Sequence, residues 1–181
     1  MVGFKSEVTV KLLKYYFLNP TAKHHVNELA RLLDVDAGNL YRKLKELEVE
    51  GLFVSEADGN QRHYWLNKKY PLLKETKKSF EIDYGLPEAI KNSLKNIKGI
   101  NEAYIFGSYA KKKLKSHSDI DVLLVGNHSA LSAKRVILPL AKVFGREINV
   151  IDLTKGELAS KLKSKDEFID NIFKHRHLKL I

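Results

Sequence analysis

The feature that most constrains the fold is a change in hydrophobic patterning near residue 85. Before it, apolar residues recur at helical spacing in several segments and a short hairpin follows. Beyond it, apolar strands alternate with helices, as they do in α/β layers. The 181 residues are enough for two small cores. The sequence therefore predicts an α+β chain with an α/β second half, in two domains over 1–84 and 85–181.

Local signals predict the elements of both halves. In the first half they are a helix over 5–18, a helix around Leu29, a helix capped by Asp36, strands at 52–55 and 61–66 about the turn Asp58-Gly59-Asn60, and a helix at 67–79. In the second half they are strands at 103–106, 119–125 and 147–151, with a helix over 131–144. The second set predicts a small domain with a mixed sheet.

Residues 5–82 resemble the winged helix-turn-helix domains of ArsR-like and MarR-like regulators. The landmarks are Glu28-Leu29-Ala30, the capped helix start at Asp36, and Gly51-Leu52 before the hairpin. The resemblance implies binding to duplex DNA, with the start of the third helix in the major groove, and a role in regulating transcription. The residues placed for DNA contact are Asn39, Tyr41, Arg42, Lys45 and Arg62.

A second interpretation is that this domain is a scaffold for protein interaction. Residues 1–85 hold 14 Lys and Arg against 12 Asp and Glu, a net charge of only +2. Glu46, Glu48 and Glu50 would repel phosphate, so we expect only the first half of the third helix to enter the groove. Regulators of this kind usually form homodimers, and the segment from Leu72 to Phe80 is the expected seam.

Two aspartates beginning an apolar strand carry the chemistry of the second half. Gly107-Ser108 is followed, eleven residues after the serine, by Asp119-Ile120-Asp121. Residues two apart in a strand point the same way, so both carboxylates can share Mg²⁺ or Mn²⁺ while Ile120, Val122 and Leu124 face the core. Gly107 permits a tight turn close to phosphate, and Ser108 offers a hydroxyl and an amide at a helix start.

The segment IFGSYAKKKLKSHSDIDVLLVG resembles the minimal nucleotidyltransferases of the DNA polymerase beta superfamily, over residues 87–153. The resemblance implies metal-dependent transfer of a nucleotide, most simply AMP, from a nucleoside triphosphate to a protein or small molecule. Lys111-Lys112 stand where the family commonly has Arg-Gly. These lysines are expected to contact nucleotide phosphate, or else to form a solvated face.

The family usually adds a third carboxylate from a later strand, and here the matching position is Asn149. An amide cannot accept a proton near neutral pH. Glu147 lies one pleat earlier, and Asp152 would serve if the register were shifted. Two hypotheses therefore stand: a transferase that also regulates transcription, with a small toxin-like protein as one possible partner, or a regulator whose degenerate domain binds nucleotide without turnover.

Composition limits the remaining possibilities. There is no cysteine, so a thiolate metal site is excluded, and the histidine pairs His24-His25 and His175/His177 are expected to be solvated. The net charge is +10, with most of the excess after residue 85, which suggests polyanionic partners. No apolar run is long enough to cross a membrane and no signal pattern is present, so a cytoplasmic location is expected.

Overall fold

The computed structural model describes residues 3–115 and 117–181. The chain divides into two compact units, each with its own sheet. The first unit runs up to Leu86 and includes Lys142–Gly145; the second takes Pro87–Ala141 and Arg146–Ile181.

Among the described residues, no helix combines the length and the apolar character that a membrane span requires.

The first unit consists of helices around a small antiparallel sheet. Its elements are α1 Glu7–Leu18, β1 His24–His25, α2 Val26–Leu33, α3 Ala37–Val49, β2 Phe53–Asp58, β3 Gln61–Leu66 and α4 Leu73–Tyr84. The strand order is β1-β3-β2, with both pairings antiparallel. Strand β1 was not predicted from the sequence.

Local signals explain where α3 and the hairpin begin and end. The Asp36 side chain accepts a hydrogen bond from the Asn39 amide at 2.8 Å, which caps α3. Gly51, with φ +83°, terminates the helix in a left-handed conformation. Asp58 pairs with Gln61, so the hairpin loop has two residues, and Gly59 adopts φ +56° at the first of them.

The core of this unit buries one face of each of α1, α2 and α3. Tyr16 is fully buried, and its hydroxyl donates to the Tyr64 carbonyl at 2.9 Å. Phe80 of α4 is 1% exposed and packs edge-on against Phe4 and Phe17. The Phe80 ring cannot contribute to the dimer seam expected from Leu72 to Phe80, because it is already buried within the unit; the seam itself stays a prediction.

Helix α4 begins later than predicted. The sequence analysis placed it at 67–79, whereas it spans Leu73–Tyr84. Pro71 disfavours helical conformation in the residue before it, which delays the helix start. The Asn67 side chain instead donates to the Gly51 carbonyl at 2.8 Å and holds the preceding turn.

The second unit has a four-stranded mixed sheet with helices on both faces. Its elements are α5 Leu86–Leu94, β4 Ile100–Phe106, α6 Gly107–Ala110, β5 Ile120–Gly126, α7 Ala130–Ile137, α8 Pro139–Phe144, β6 Ile148–Leu153, α9 Lys155–Lys163, α10 Glu167–Lys174 and β7 Leu178–Lys179. The order is β6-β5-β4-β7; β5 and β6 are parallel, and the other two pairs are antiparallel. The mixed α/β fold predicted from the sequence is confirmed.

Strand β5 is buried on both faces, which the sequence analysis did not predict. It assigned Ile120, Val122 and Leu124 to the core, but Leu123 and Val125 are equally buried. These two pack against α10, within the buried cluster of Tyr104, Phe106, Leu123, Val125, Ile169 and Ile172. The predicted helix over 131–144 is two helices, because Pro139 lacks the amide hydrogen that would continue the ladder.

Candidate active site

The register of the sheet brings three chemically distinct side chains into a row. Phe106, the last residue of β4, pairs with Asp121 of β5. Asp121 in turn lies beside Asn149 of the parallel strand β6. Side chains directly opposite one another on neighbouring strands share a face. Asp121 is therefore flanked by an aromatic ring on one side and an amide on the other.

The two predicted carboxylates meet at that amide. Asn149 Nδ2 lies 3.3 Å from Asp119 Oδ2 and 3.5 Å from Asp121 Oδ1, and both aspartates are half-buried. Burial raises the pKa of Asp121, the hydrogen bond from Asn149 opposes that change, and the charge of Asp119 adds to it. The pair is thus held together although its like charges repel.

Gly107 makes the close approach of Asp121 possible. It adopts φ +70°, and a Cβ atom placed on it would overlap the Oδ2 atom of Asp121. Any other residue would both strain the backbone and displace the carboxylate. The requirement for glycine here comes from Asp121 as well as from the turn that the sequence predicts.

Helix α6, which follows Gly107, is short. It has four residues, so it offers Ser108 an unpaired first-turn amide but almost no helix dipole. Positive charge near the turn comes instead from exposed side chains. Lys111, Lys112, Lys113 and Lys115 are all exposed, and none of them forms an ion pair within the described part of the chain.

Lys112 has a left-handed backbone, with φ +56°. This is the position at which the resembling family commonly has glycine. A residue with a Cβ atom in this conformation costs on the order of 1–2 kcal/mol. The loop therefore keeps the backbone shape suited to glycine while adding a positive charge.

Arg146 is a residue that the sequence analysis missed. It is buried, and its Nη1 atom donates to the carbonyls of Lys115 at 2.7 Å and Ser118 at 3.3 Å. These carbonyls belong to the segment that leads into Asp119. Arg146 therefore fixes the path of the loop from a position just before β6. The only available signal was an arginine directly before a strand, which is too common to be specific.

The acidic alternatives to Asn149 lie in different environments. Glu147 is exposed before the start of β6, and its carbonyl accepts the Ile120 amide at 2.9 Å. Asp152 lies 3.0 Å from the buried side chain of His128 and 3.3 Å from Lys134. The register is not shifted, so Asp152 occupies the opposite face and is not the third carboxylate.

The donor set fits a hard divalent cation. Across residues 3–115 and 117–181, no three His, Cys, Asp or Glu side chains are placed to hold a metal ion together. Asp119 and Asp121 nevertheless supply two converging carboxylates, with the Asn149 amide beside them. Mg²⁺ is commonly bound by one or two carboxylates together with substrate phosphates, so these residues suit it.

Of the four histidines expected to be solvated, only His175 is exposed, and all four also have structural partners. His24 lies 2.7 Å from the Tyr15 hydroxyl and 2.9 Å from the Glu28 carboxylate. His25 caps α2 by accepting from the Glu28 amide at 3.3 Å. The Nδ1 atom of His175 lies 2.9 Å from the Asn171 carbonyl, and the His177 ring packs edge-on against two aromatic rings.

Residues 88–177 match the family model described as polymerase beta, nucleotidyltransferase. The chain belongs to this family. A relative from Methanocaldococcus jannaschii, described as a putative protein adenylyltransferase, is 40% identical over 69 residues, which cover 37% of this chain and 72% of the relative. A crystal structure of a putative nucleotidyltransferase from Sulfolobus solfataricus is 23% identical, with a TM-score of 0.29, covering 41% of this chain and 68% of that one.

The residues predicted to contact DNA lie on α3 and β3 of the first unit. Asn39, Tyr41 and Arg42 are exposed, and the Arg42 guanidinium donates to the Asn39 side chain. Lys45 is hydrogen-bonded to Glu48 at 2.8 Å, which raises the pKa of Lys45 and lowers that of Glu48. Lys45 therefore has a carboxylate partner, whereas Arg42 contacts only the neutral side chain of Asn39.

Glu48 also joins α3 to the hairpin. It accepts from the Ser55 hydroxyl, and Arg62 donates to the same hydroxyl oxygen at 2.8 Å. The sequence analysis treated Glu48 as a repulsive charge on the distal half of α3. In the structure its charge is compensated by Lys45.

We predict that Lys112→Gly stabilises the protein. Relief of the left-handed backbone should exceed the extra chain entropy of glycine, for a net gain of up to about 1 kcal/mol in the free energy of unfolding. Urea denaturation would measure it. The control is Lys113→Gly, because Lys113 does not have positive φ; it should destabilise. Equal losses in both variants would contradict the strain argument.

We also predict that Asp121→Asn raises the melting temperature of the metal-free protein at pH 7. The raised pKa of Asp121 means that its ionised form destabilises the folded state above that pKa, and this penalty is absent below the ordinary value near 3.9. The gain should therefore shrink as the pH falls towards 3.

Scanning calorimetry at pH 7 and pH 3 would measure both values. Asp58→Asn, at an exposed aspartate of the hairpin, is the control and should change neither. A lower melting temperature for Asp121→Asn at pH 7 would show that the carboxylate stabilises the loop instead.

Proposed function

We propose that the second unit transfers AMP from ATP, with Mg²⁺ or Mn²⁺, to a hydroxyl group of a protein. The observation that carries the proposal is the meeting of the Asp119 and Asp121 carboxylates beside the glycine turn. Membership of the nucleotidyltransferase family supports the reaction class. The description of the Methanocaldococcus relative supports AMP as the nucleotide and a protein as the acceptor.

In this reaction the acceptor oxygen forms a bond to the α-phosphorus and the bond from that phosphorus to the pyrophosphate oxygen breaks. The acceptor hydroxyl proton leaves to a base or to water. Asp119 and Asp121 would hold the cation, which neutralises phosphate charge and polarises the reacting oxygens. Ser108 would bind phosphate through its hydroxyl and amide. Lys111 and Lys112, both exposed, would add positive charge around the triphosphate.

Asn149 favours a second candidate function. Its amide takes no proton, it lies beside Asp121, and the resemblance assigns a third carboxylate to its position. In this version the domain binds nucleotide without turnover and reports nucleotide levels. The exposed Glu147 is the one acidic group of the strand start that could replace the missing base. The two versions share a binding site and differ only in chemistry.

A transfer assay separates these versions. Labelled α-phosphate from ATP would be followed into the protein or a co-purified partner, for the wild type, Asn149→Asp and Glu147→Gln. If Asn149 limits transfer, Asn149→Asp should raise the rate, because general-base assistance contributes on the order of 10²–10⁴. Nucleotide affinity should change much less.

The double variant Asp119→Asn, Asp121→Asn is the control and should abolish both transfer and cation-dependent binding. An active wild type that Glu147→Gln silences would assign the base to Glu147. Efficient transfer that neither substitution alters would refute the idea that β6 limits the reaction. Equal nucleotide affinity with and without the cation would refute the site itself.

For the first unit, we propose a winged helix-turn-helix domain that binds duplex DNA as a homodimer and regulates transcription. The support is a capped α3 with exposed Asn39, Tyr41 and Arg42, followed by a hairpin that carries exposed Arg62. Polar and cationic residues at the start of a helix suit base edges in the major groove. The Glu48 link to Ser55 would hold helix and hairpin in one arrangement.

We predict that Arg42→Ala weakens binding to DNA from upstream of the protein's own gene by roughly tenfold, the effect of losing one good base or phosphate contact. Lys45→Ala should have a smaller effect, because Glu48 already compensates Lys45. Fluorescence anisotropy at several salt concentrations would measure both. Lys69→Ala removes an equal exposed charge outside α3 and is the control. No preference over random duplex would contradict the proposal.

A further inference from the structure

Phe168 is a large aromatic residue whose side chain is partly exposed to water although it has no polar group. It lies in the first turn of α10, and 47% of it is exposed. Its neighbour Ile169 is almost fully buried in the core beneath. The Phe168 ring meets the Phe106 ring edge-on, with centroids 5.9 Å apart and an interplanar angle of 82°. One side of the ring is therefore packed and much of the rest is free.

Two ring contacts fix the direction of α10 over the sheet. Phe173, near the end of α10, packs edge-on against Tyr104 at 5.4 Å. Phe168, near its start, packs against Phe106, which is two residues further along β4 towards the glycine turn. Helix α10 therefore runs antiparallel to β4. Its amino-terminal end, with Phe168, lies at the end of the sheet that carries the carboxylates.

A single ring separates Phe168 from the candidate active site. Phe106 is the cross-strand partner of Asp121 and shares its face of the sheet. Directly opposed side chains of this kind have Cβ atoms roughly 4.5–5.5 Å apart. Phe106 also directly precedes Gly107. The exposed surface of Phe168 thus borders the place where the phosphates of a nucleotide would bind.

Phe168 has the chemistry that a nucleobase requires. Every base has an aromatic face, and stacking on an aromatic side chain is tolerant of base identity. Phe168 covers one edge of Phe106, which is only 8% exposed, but this contact leaves 47% of Phe168 in water. A base stacked on Phe168 would remove that apolar surface from water.

We propose that Phe168 is the stacking platform for the base of the nucleoside triphosphate. The inference rests on the proposed function, because it takes the triphosphate to lie at Asp119 and Asp121. Stacking increases with the area of the ring system, so the site prefers purine over pyrimidine triphosphates. Stacking alone does not separate adenine from guanine. The remaining choice between those bases therefore depends on other groups of the site.

The test compares ATP, CTP and inorganic tripolyphosphate, each with Mg²⁺, by titration calorimetry. Tripolyphosphate has the phosphates but no base, so it reports the carboxylate end of the site alone. Phe168→Leu keeps an apolar side chain and removes the aromatic face. This substitution should weaken the binding of ATP about tenfold, within the range for loss of one stacked base. It should leave the affinity for tripolyphosphate unchanged. Phe168→Trp should retain or improve ATP binding.

Leu162→Ala is the matched control, since Leu162 is a similarly exposed apolar residue of α9. It should leave all three ligands unchanged. The platform would be overturned if Phe168→Leu left ATP affinity unchanged, or if it reduced the affinities for ATP and tripolyphosphate equally. The transfer site would stand in both cases. A wild type that binds none of the three ligands would overturn the transfer site, and the platform with it.

Discussion

The contact between the Asp121 carboxylate and the backbone of Gly107 is the constraint on which the rest of the site depends. A Cβ atom would not fit between them, and because glycine has none, the end of β4 can turn directly beside a carboxylate of β5. The same register places Phe106 on one side of Asp121, and the parallel strand β6 places Asn149 on the other. Arg146 then anchors the loop between α6 and β5 by its carbonyls, so that Asp119 returns to the same point. Turn, register and loop are parts of one arrangement.

Much of this arrangement follows from local sequence. The spacing from Gly107-Ser108 to Asp119 and Asp121, with apolar strands on both sides, is enough to predict a strand, a tight turn and a second strand with two carboxylates on one face. The position of Asn149 beside Asp121 also follows from aligning two short apolar strands. The assignments of individual roles to these residues stay predictions. The pattern of strands alone is enough to predict the mixed sheet.

What sequence reasoning missed depends on contacts between distant residues. The carbonyls that Arg146 binds lie about thirty positions earlier, and nothing local to Arg146 indicates them. Helices α9 and α10 were not predicted, although both have local signals in the sequence. Thr154 and Glu157 form a capping box at α9, and Asp166 caps α10. The formal charge of Glu48 also gave a wrong expectation for α3. Glu48 looks repulsive in sequence and is paired with Lys45 in space, although an exposed pair of this kind is weak and would yield to a phosphate.

The electrostatics of the site suggest why an amide suits this position. Burial, and after it the charge of Asp119, raise the pKa of Asp121 and so disfavour its ionised form in the metal-free state. A third carboxylate at Asn149 would add a further repulsion, whereas the amide donates to both oxygens and lowers the cost of holding them together. In the proposed transfer reaction, the same amide offers no proton acceptor. Under the proposed function, Asn149 would therefore exchange catalytic capacity for a carboxylate pair that is held together without a cation. A protein that must keep its nucleotide site ready between binding events would gain from that exchange, and a transferase with the cation always bound would not.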